Sequence, residues 1–159
     1  MNEKIKLTVT HAKCSNCGFE RILYFMSDNS YGERVLSTKD GHLCAYSNLL
    51  KEQIIPELYE LSKEVFTSMN IEISESKMKR IVSNIYGITC DEINNEIIDN
   101  TPNWKCNNCS DGEMKEDKLY GEKLIEIEMP FVKHNKWNIM STDEKKQLII
   151  KELKSQKYI

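Results

Sequence analysis

Two short stretches decide how this chain is read: Cys14-Ser15-Asn16-Cys17-Gly18 near the start and Cys106-Asn107-Asn108-Cys109 in the last third. Each is a C-x-x-C, a spacing at which one tight turn aims two sulfurs at a common point. Four thiolates at the corners of a tetrahedron form a usual structural zinc set, so Cys14, Cys17, Cys106 and Cys109 are the candidate metal ligands. Iron can use the same four sulfurs, but the second pair lacks a glycine directly after Cys109, and zinc is the preferred reading.

The sequence around the first pair is β-like on both sides. Ile5, Leu7 and Val9 alternate with Lys6 and Thr8, which predicts a half-buried strand. Arg21-Ile22-Leu23-Tyr24-Phe25-Met26 predicts a second. Gly18 suits the intervening turn, which needs φ > 0. After the second pair, Ser110-Asp111-Gly112 reads as a turn and Lys115–Lys118 as an exposed loop. Ile125, Ile127 and Met129 alternate with Glu126 and Glu128 in a further strand that Pro130 ends. A strand, a C-x-x-C-G turn and a strand at the first pair, with a second C-x-x-C and a strand after it, resemble zinc-ribbon proteins in general. The resemblance covers only the two turns and their flanking strands. It implies metal binding and leaves function open, since ribbons serve transcription factors, enzymes and adaptors alike.

The pairs are unusually far apart. About ninety residues lie between them, against roughly 15–20 in many four-cysteine sites. Closing so long a loop costs about 4–5 kcal/mol, whereas structural zinc supplies about 10–16 kcal/mol in finger peptides. One shared site joining both ends of the chain is therefore affordable.

What lies between reads mostly as helix. Ser27–Gly32 is turn-rich, and Asp40-Gly41 between Arg34–Ser37 and His42–Cys44 signals a hairpin. Leu50, Ile54, Leu58, Leu61 and Val65 form an apolar stripe interrupted by Pro56, which either kinks the helix or opens it. Met78, Ile81, Val82 and Ile85 form a second helical face with Gly87 at its C′ position. Thr89-Cys90-Asp91-Glu92 has the form of a capping box and predicts a third helix through Ile93, Ile97 and Ile98, stopping before Pro102. Ser141-Thr142-Asp143-Glu144 is another capping box, opening a helix with Leu148, Ile149, Leu153 and a lysine-rich polar face.

The expected architecture is thus α+β in a single domain over 1–159. A small antiparallel zinc-ribbon-like sheet is built from halves 1–45 and 103–130. A helical insertion spans 46–102 between the two turns, and a C-terminal helix spans 141–157.

Several functional classes are disfavoured. The formal net charge is −3, whereas a nucleic-acid-binding face is usually basic. The segment Arg80–Ile98 has some features of a helix-turn-helix, but Glu96 stands at an apolar position and Asp91, Glu92 and Asp99 would repel phosphates. No Gly-rich phosphate loop, H-E-x-x-H or paired nucleophile and base is visible, and four cysteines close the metal's coordination shell. No signal peptide and no apolar run long enough to span a bilayer is present. That favours the cytoplasm, where six thiols stay reduced and point to metal rather than disulfides. Cys44 and Cys90 read as core cysteines, with His42-Leu43-Cys44 a source of substitute ligands and His11 a strand residue near the site. His134 reads as exposed surface, and Trp104 and Trp137 as packing residues. The expected function is a zinc-stabilised, non-catalytic protein that binds another macromolecule, most naturally a protein, in an accessory, regulatory or defence-type role. The alternative is a nucleic-acid-binding regulator that uses the ribbon or the face of Lys145, Lys146, Lys151 and Lys154.

Overall fold

The computed structural model describes residues 2–26, 32–116 and 123–159. The expected turn at Ser27–Gly32, apart from Gly32, and the end of the expected loop at 117–118 lie outside them. The chain is mixed α and β, and its contacts divide it into two compact units, Met1–Leu50 with Glu92–Val132, and Lys51–Asp91 with Lys133–Ile159.

The first unit is organised around β1 (Asn2–Cys14), flanked on one side by β2 (Glu20–Met26). Its other side is shared by β6 (Lys123–Pro130), which pairs Ile5 with Ile127, and the short β5 (Met114–Glu116), which pairs Cys14 with Met114. These three pairings are antiparallel. Because side chains alternate along a strand, β1 serves a core on each face. Ile5 and Leu7 pack with Tyr46 and Met129 on one. Ala12 and Cys14 pack with Leu23, Cys106 and Met114 on the other. Each fully buried Leu or Ile contributes about 1.5–3 kcal/mol.

A hairpin of β3 (Glu33–Ser37) and β4 (Cys44–Asn48) covers the first face, its turn made at Asp40-Gly41 as the sequence predicts. Gly41 is required there. It has φ +79°, and a Cβ would lie 2.2 Å from the Ile22 carbonyl oxygen, while Ile22 donates its N–H to the Asp40 carbonyl at 2.8 Å.

The predicted helix from Thr89 is absent. Thr89 ends a 3-10 turn over Tyr86–Thr89, and Cys90 is extended. Beyond it, Ile93 and Glu96 bridge around Asn94 (φ +48°) and Asn95 (φ +67°). Two consecutive asparagines, a residue that tolerates φ > 0, make a tight turn with both central positions left-handed, and that local preference prevails over the helical spacing of the isoleucines. Ile98 is buried and Ile97 is 75% exposed. With no second helix, the segment has no helix-turn-helix, nor the pair of core helices otherwise expected. Residues 92–102 belong to the sheet-bearing unit rather than to a helical insertion.

The second unit is helical. α1 (Ile54–Ser68) buries Ile54, Leu58, Leu61 and Val65 as expected, but it begins after Leu50, which is exposed. Pro56 is its third residue, where its missing N–H has no intrahelical partner to lose, so neither a kink nor an N1 proline results. α2 (Glu75–Ile85) is capped by Ser74 and buries Met78, Ile81, Val82 and Ile85. Gly87 lies in the 3-10 turn that continues it, not at a left-handed C′ position. The short α3 (Asn135–Ile139) precedes α4 (Thr142–Ser155), whose capping box at Ser141 and Glu144 forms in both directions. His134 is not surface. Its side chain is 12% exposed, its Nδ1 lies 2.8 Å from the Thr89 carbonyl oxygen, and its Nε2 lies 3.2 Å from Glu52 Oε2. Among the described residues no helix is long and apolar enough to cross a membrane.

Candidate metal centre

Cys14 ends β1 and Cys17 closes the turn that follows it. Cys106 and Cys109 occupy the matching turn before β5. The local backbone explains the convergence. Gly18 donates its N–H to the Cys14 carbonyl and Cys14 donates to Phe19, while Cys106 donates to Gly112. Ser15 and Glu113 exchange hydrogen bonds between the two turns, Ser15 N–H to the Glu113 carbonyl at 3.0 Å and Glu113 N–H to Ser15 Oγ at 3.3 Å.

The four sulfurs lie within 4.8 Å of one another. Cys14 and Cys109 are 3.7 Å apart, and so are Cys17 and Cys106. A tetrahedron with metal–sulfur bonds of ~2.3 Å has edges of about 3.8 Å, so a single metal ion fits with little adjustment. The sulfurs are also furnished with donors, as anionic ligands require. Asn16 and Cys17 direct their N–H groups at Cys14 Sγ (3.3 and 3.4 Å), and Asn108 directs its own at Cys106 Sγ (3.3 Å).

Two side chains that sequence reasoning passed over complete the set. Asn16 Nδ2 donates to Cys109 Sγ and Asn108 Nδ2 donates to Cys17 Sγ, both at 3.6 Å. Each asparagine stands third in its own C-x-N-C and reaches across to the other pair. The shared asparagine was the readable signal. Its consequence appears in the thiols: the Asn16 amide, foremost, brings Cys109 down to about 6. The N–H of Phe19, and then the Asn108 amide, lower Cys17. Burial pushes Cys106 up, against the backbone N–H groups of Cys109 and Asn108. The solvent-facing sulfurs are thereby held toward the thiolate form that binds metal.

Ser110 follows Cys109 as Gly18 follows Cys17, and both are left-handed, at φ +65° and +75°. The glycine absent after Cys109 is therefore replaced by a strained serine. Relief of about 1–2 kcal/mol, less the entropic cost of glycine, leaves Ser110→Gly more stable by about 0.5–1 kcal/mol, to be read as a raised Tm. An unchanged or lowered Tm would show that the serine is not strained.

The other candidates do not join the cluster. His42 is exposed and pairs with Asp40 at 3.3 Å. Cys44 is half-buried, with its thiol pushed up by burial. Cys90 is half-buried too, its thiol raised by burial to about 12, unsuited to act as a nucleophile. His11 lies on the face of β1 opposite Cys14. Trp104 is not a packing residue: it is 65% exposed, although its carbonyl accepts from Met114 N–H at 2.8 Å. Trp137 is fully buried. Comparison with known proteins finds no matching family model, no matching curated protein and no matching solved structure.

Proposed function

We propose that Cys14, Cys17, Cys106 and Cys109 hold one structural zinc ion in a ribbon-like clasp, and that the clasped unit is a non-catalytic docking module for another protein. The observation that carries the docking reading is Trp104. It stands two residues before a metal ligand, on backbone bonded to β5, and leaves most of its indole in solvent. Large aromatic side chains held on rigid backbone are the usual anchors of protein interfaces, and the same unit also exposes Ile97. Four thiolates leave zinc no open position for water or substrate, which supports a structural role for the ion.

The nucleic-acid alternative draws less support. Of its lysine face, Lys145 pairs with Glu57 at 2.6 Å and Lys146 with Glu64 at 2.6 Å, so two of the four charges are already engaged. The test is affinity capture from the source cell with the zinc-loaded protein, with Trp104→Ala beside it. A protein retained by the parent and lost from the variant is the expected result. Capture that survives the substitution, or that nuclease treatment abolishes, overturns the reading. Metal analysis of the same preparation should give about one zinc per chain.

A further inference from the structure

Arg21 is the most anomalous side chain of the first unit. It lies on β2 and is only 4% exposed. Its Nε and Nη1 are buried without a hydrogen-bond partner. Buried guanidinium groups are ordinarily paired and bonded through most of their five donors. Orphaned donors at such a site mark a charge whose counterpart is incomplete.

The register shows what it faces. Arg21 is opposite Ala12 across the β1–β2 ladder, so both side chains are on the same face of the sheet. That is the face whose core holds Ala12, Cys14, Leu23, Cys106 and Met114. Burial lowers the Arg21 pKa, and the charges that oppose this are those of Asp99 and Cys106. Asp99 is already in demand, since one carboxylate oxygen accepts from Thr101 N–H and the other from the Asn107 side-chain amide. With Cys106 a neutral thiol, Asp99 is the one full negative charge available to the guanidinium from this pair. With Cys106 a metal-bound thiolate, the site gains a permanent negative charge, and four thiolates around a divalent ion carry two net negative charges between them.

We propose that Arg21 is the internal counter-cation of the four-sulfur site, completing its charge pairing when the cysteines, the buried Cys106 among them, hold a metal ion. The inference rests on the metal-site reading above and deepens it. It makes metal uptake relieve a buried unpaired charge at the same time as it joins the two cysteine pairs.

The test compares the parent protein with Arg21→Met and Arg21→Gln, each metal-free and zinc-loaded. Zinc affinity is read by competition with a chromophoric chelator, and stability by thermal unfolding. Loss of the cation should weaken zinc binding by about 10–100-fold, the range typical of outer partners of metal ligands. The metal-free variants should be at least as stable as the metal-free parent, while the loaded variants are less stable than the loaded parent. That opposition of sign separates the proposal from a merely structural role. Unchanged zinc affinity, or an equal loss of stability in both forms, overturns it and assigns Arg21 to Asp99 alone. Arg21→Gln keeps a polar group, so it serves should Arg21→Met not fold. A parent protein that binds no zinc would overturn the metal site and this inference together, whereas a zinc-binding parent with insensitive variants overturns the inference alone.

Discussion

Gly112→Ala is expected to weaken metal binding by at least about 100-fold. A Cβ at this position would lie 2.1 Å from Cys14 Sγ and 2.9 Å from Asn16 Cβ. Neither neighbour can yield cheaply. The sulfur must stay at its corner of the tetrahedron, and Asn16 sits between the two cysteines of its turn. Gly112 is itself fixed, since its carbonyl accepts from Cys106 N–H at 3.0 Å. Overpacking commonly costs about 1–3 kcal/mol, and each 1.4 kcal/mol is about tenfold in affinity; a sub-van-der-Waals contact with a ligand atom belongs at the upper end. A cobalt titration followed through its sulfur charge-transfer absorption reads the result, with Glu113→Ala as the neighbouring control that titrates normally. A Gly112→Ala protein that also titrates normally would show that the two turns do not meet as described.

Trp137→Ala should destabilise the helical unit by about 3–5 kcal/mol, the usual cost of deleting a large buried aromatic. Trp137 is wholly buried on the five-residue α3. Its Nε1–H donates to Glu57 Oε2 at 2.9 Å, and Lys145 Nζ, which donates to Glu57 Oε1 at 2.6 Å, stands 5.3 Å from the centre of the indole ring. Burial would raise the Glu57 carboxyl, but the hydrogen bonds from Lys145 and Trp137 prevail and lower it. Trp137→Phe separates packing from hydrogen bonding. It should cost about 1 kcal/mol, below the usual worth of a bond to a charged group, because the Glu57 side chain is 42% exposed. Urea denaturation followed by the helical circular dichroism signal distinguishes the two variants. Equal losses for both would place the stabilisation in the N–H rather than in the ring.

Periodic, locally capped segments were legible in the sequence. β1 and β6 follow from strict alternation, β2 from a β-prone run, α2 from its i, i+3, i+4, i+7 face, and α4 from a capping box that forms in full. The four cysteines were legible because their chemistry dictates their spacing. What escaped depends on contacts distant in sequence. α3 is too short to show a period and is held by the burial of Trp137. His134 sits among lysines and asparagines in sequence, yet its ring meets Thr89, Tyr86 and Glu52. The segment after Thr89 carried two local signals in conflict, a capping pattern and an Asn-Asn turn, and no rule internal to the segment ranks them. Gly112 read as an ordinary turn glycine, whereas its necessity comes from a sulfur nearly a hundred residues earlier. Arg21 read as one residue of a β run, and its burial follows only from the core that closes over it.

The position of β1 also governs the order in which the chain can fold as it is synthesised. Its first described residue, Asn2, pairs with Pro130, and Cys14 pairs with Met114. One edge of the strand therefore stays bare until residues 114–116 and 123–130 have been made. Contacts so distant in sequence slow folding, and a bare apolar strand edge invites pairing with other chains in the meantime. Until Cys106 and Cys109 are made, Cys14 and Cys17 are a C-x-x-C without its partner pair. The nascent protein is thus open to oxidation until Cys106 and Cys109 emerge, and to aggregation until β5 and β6 follow them.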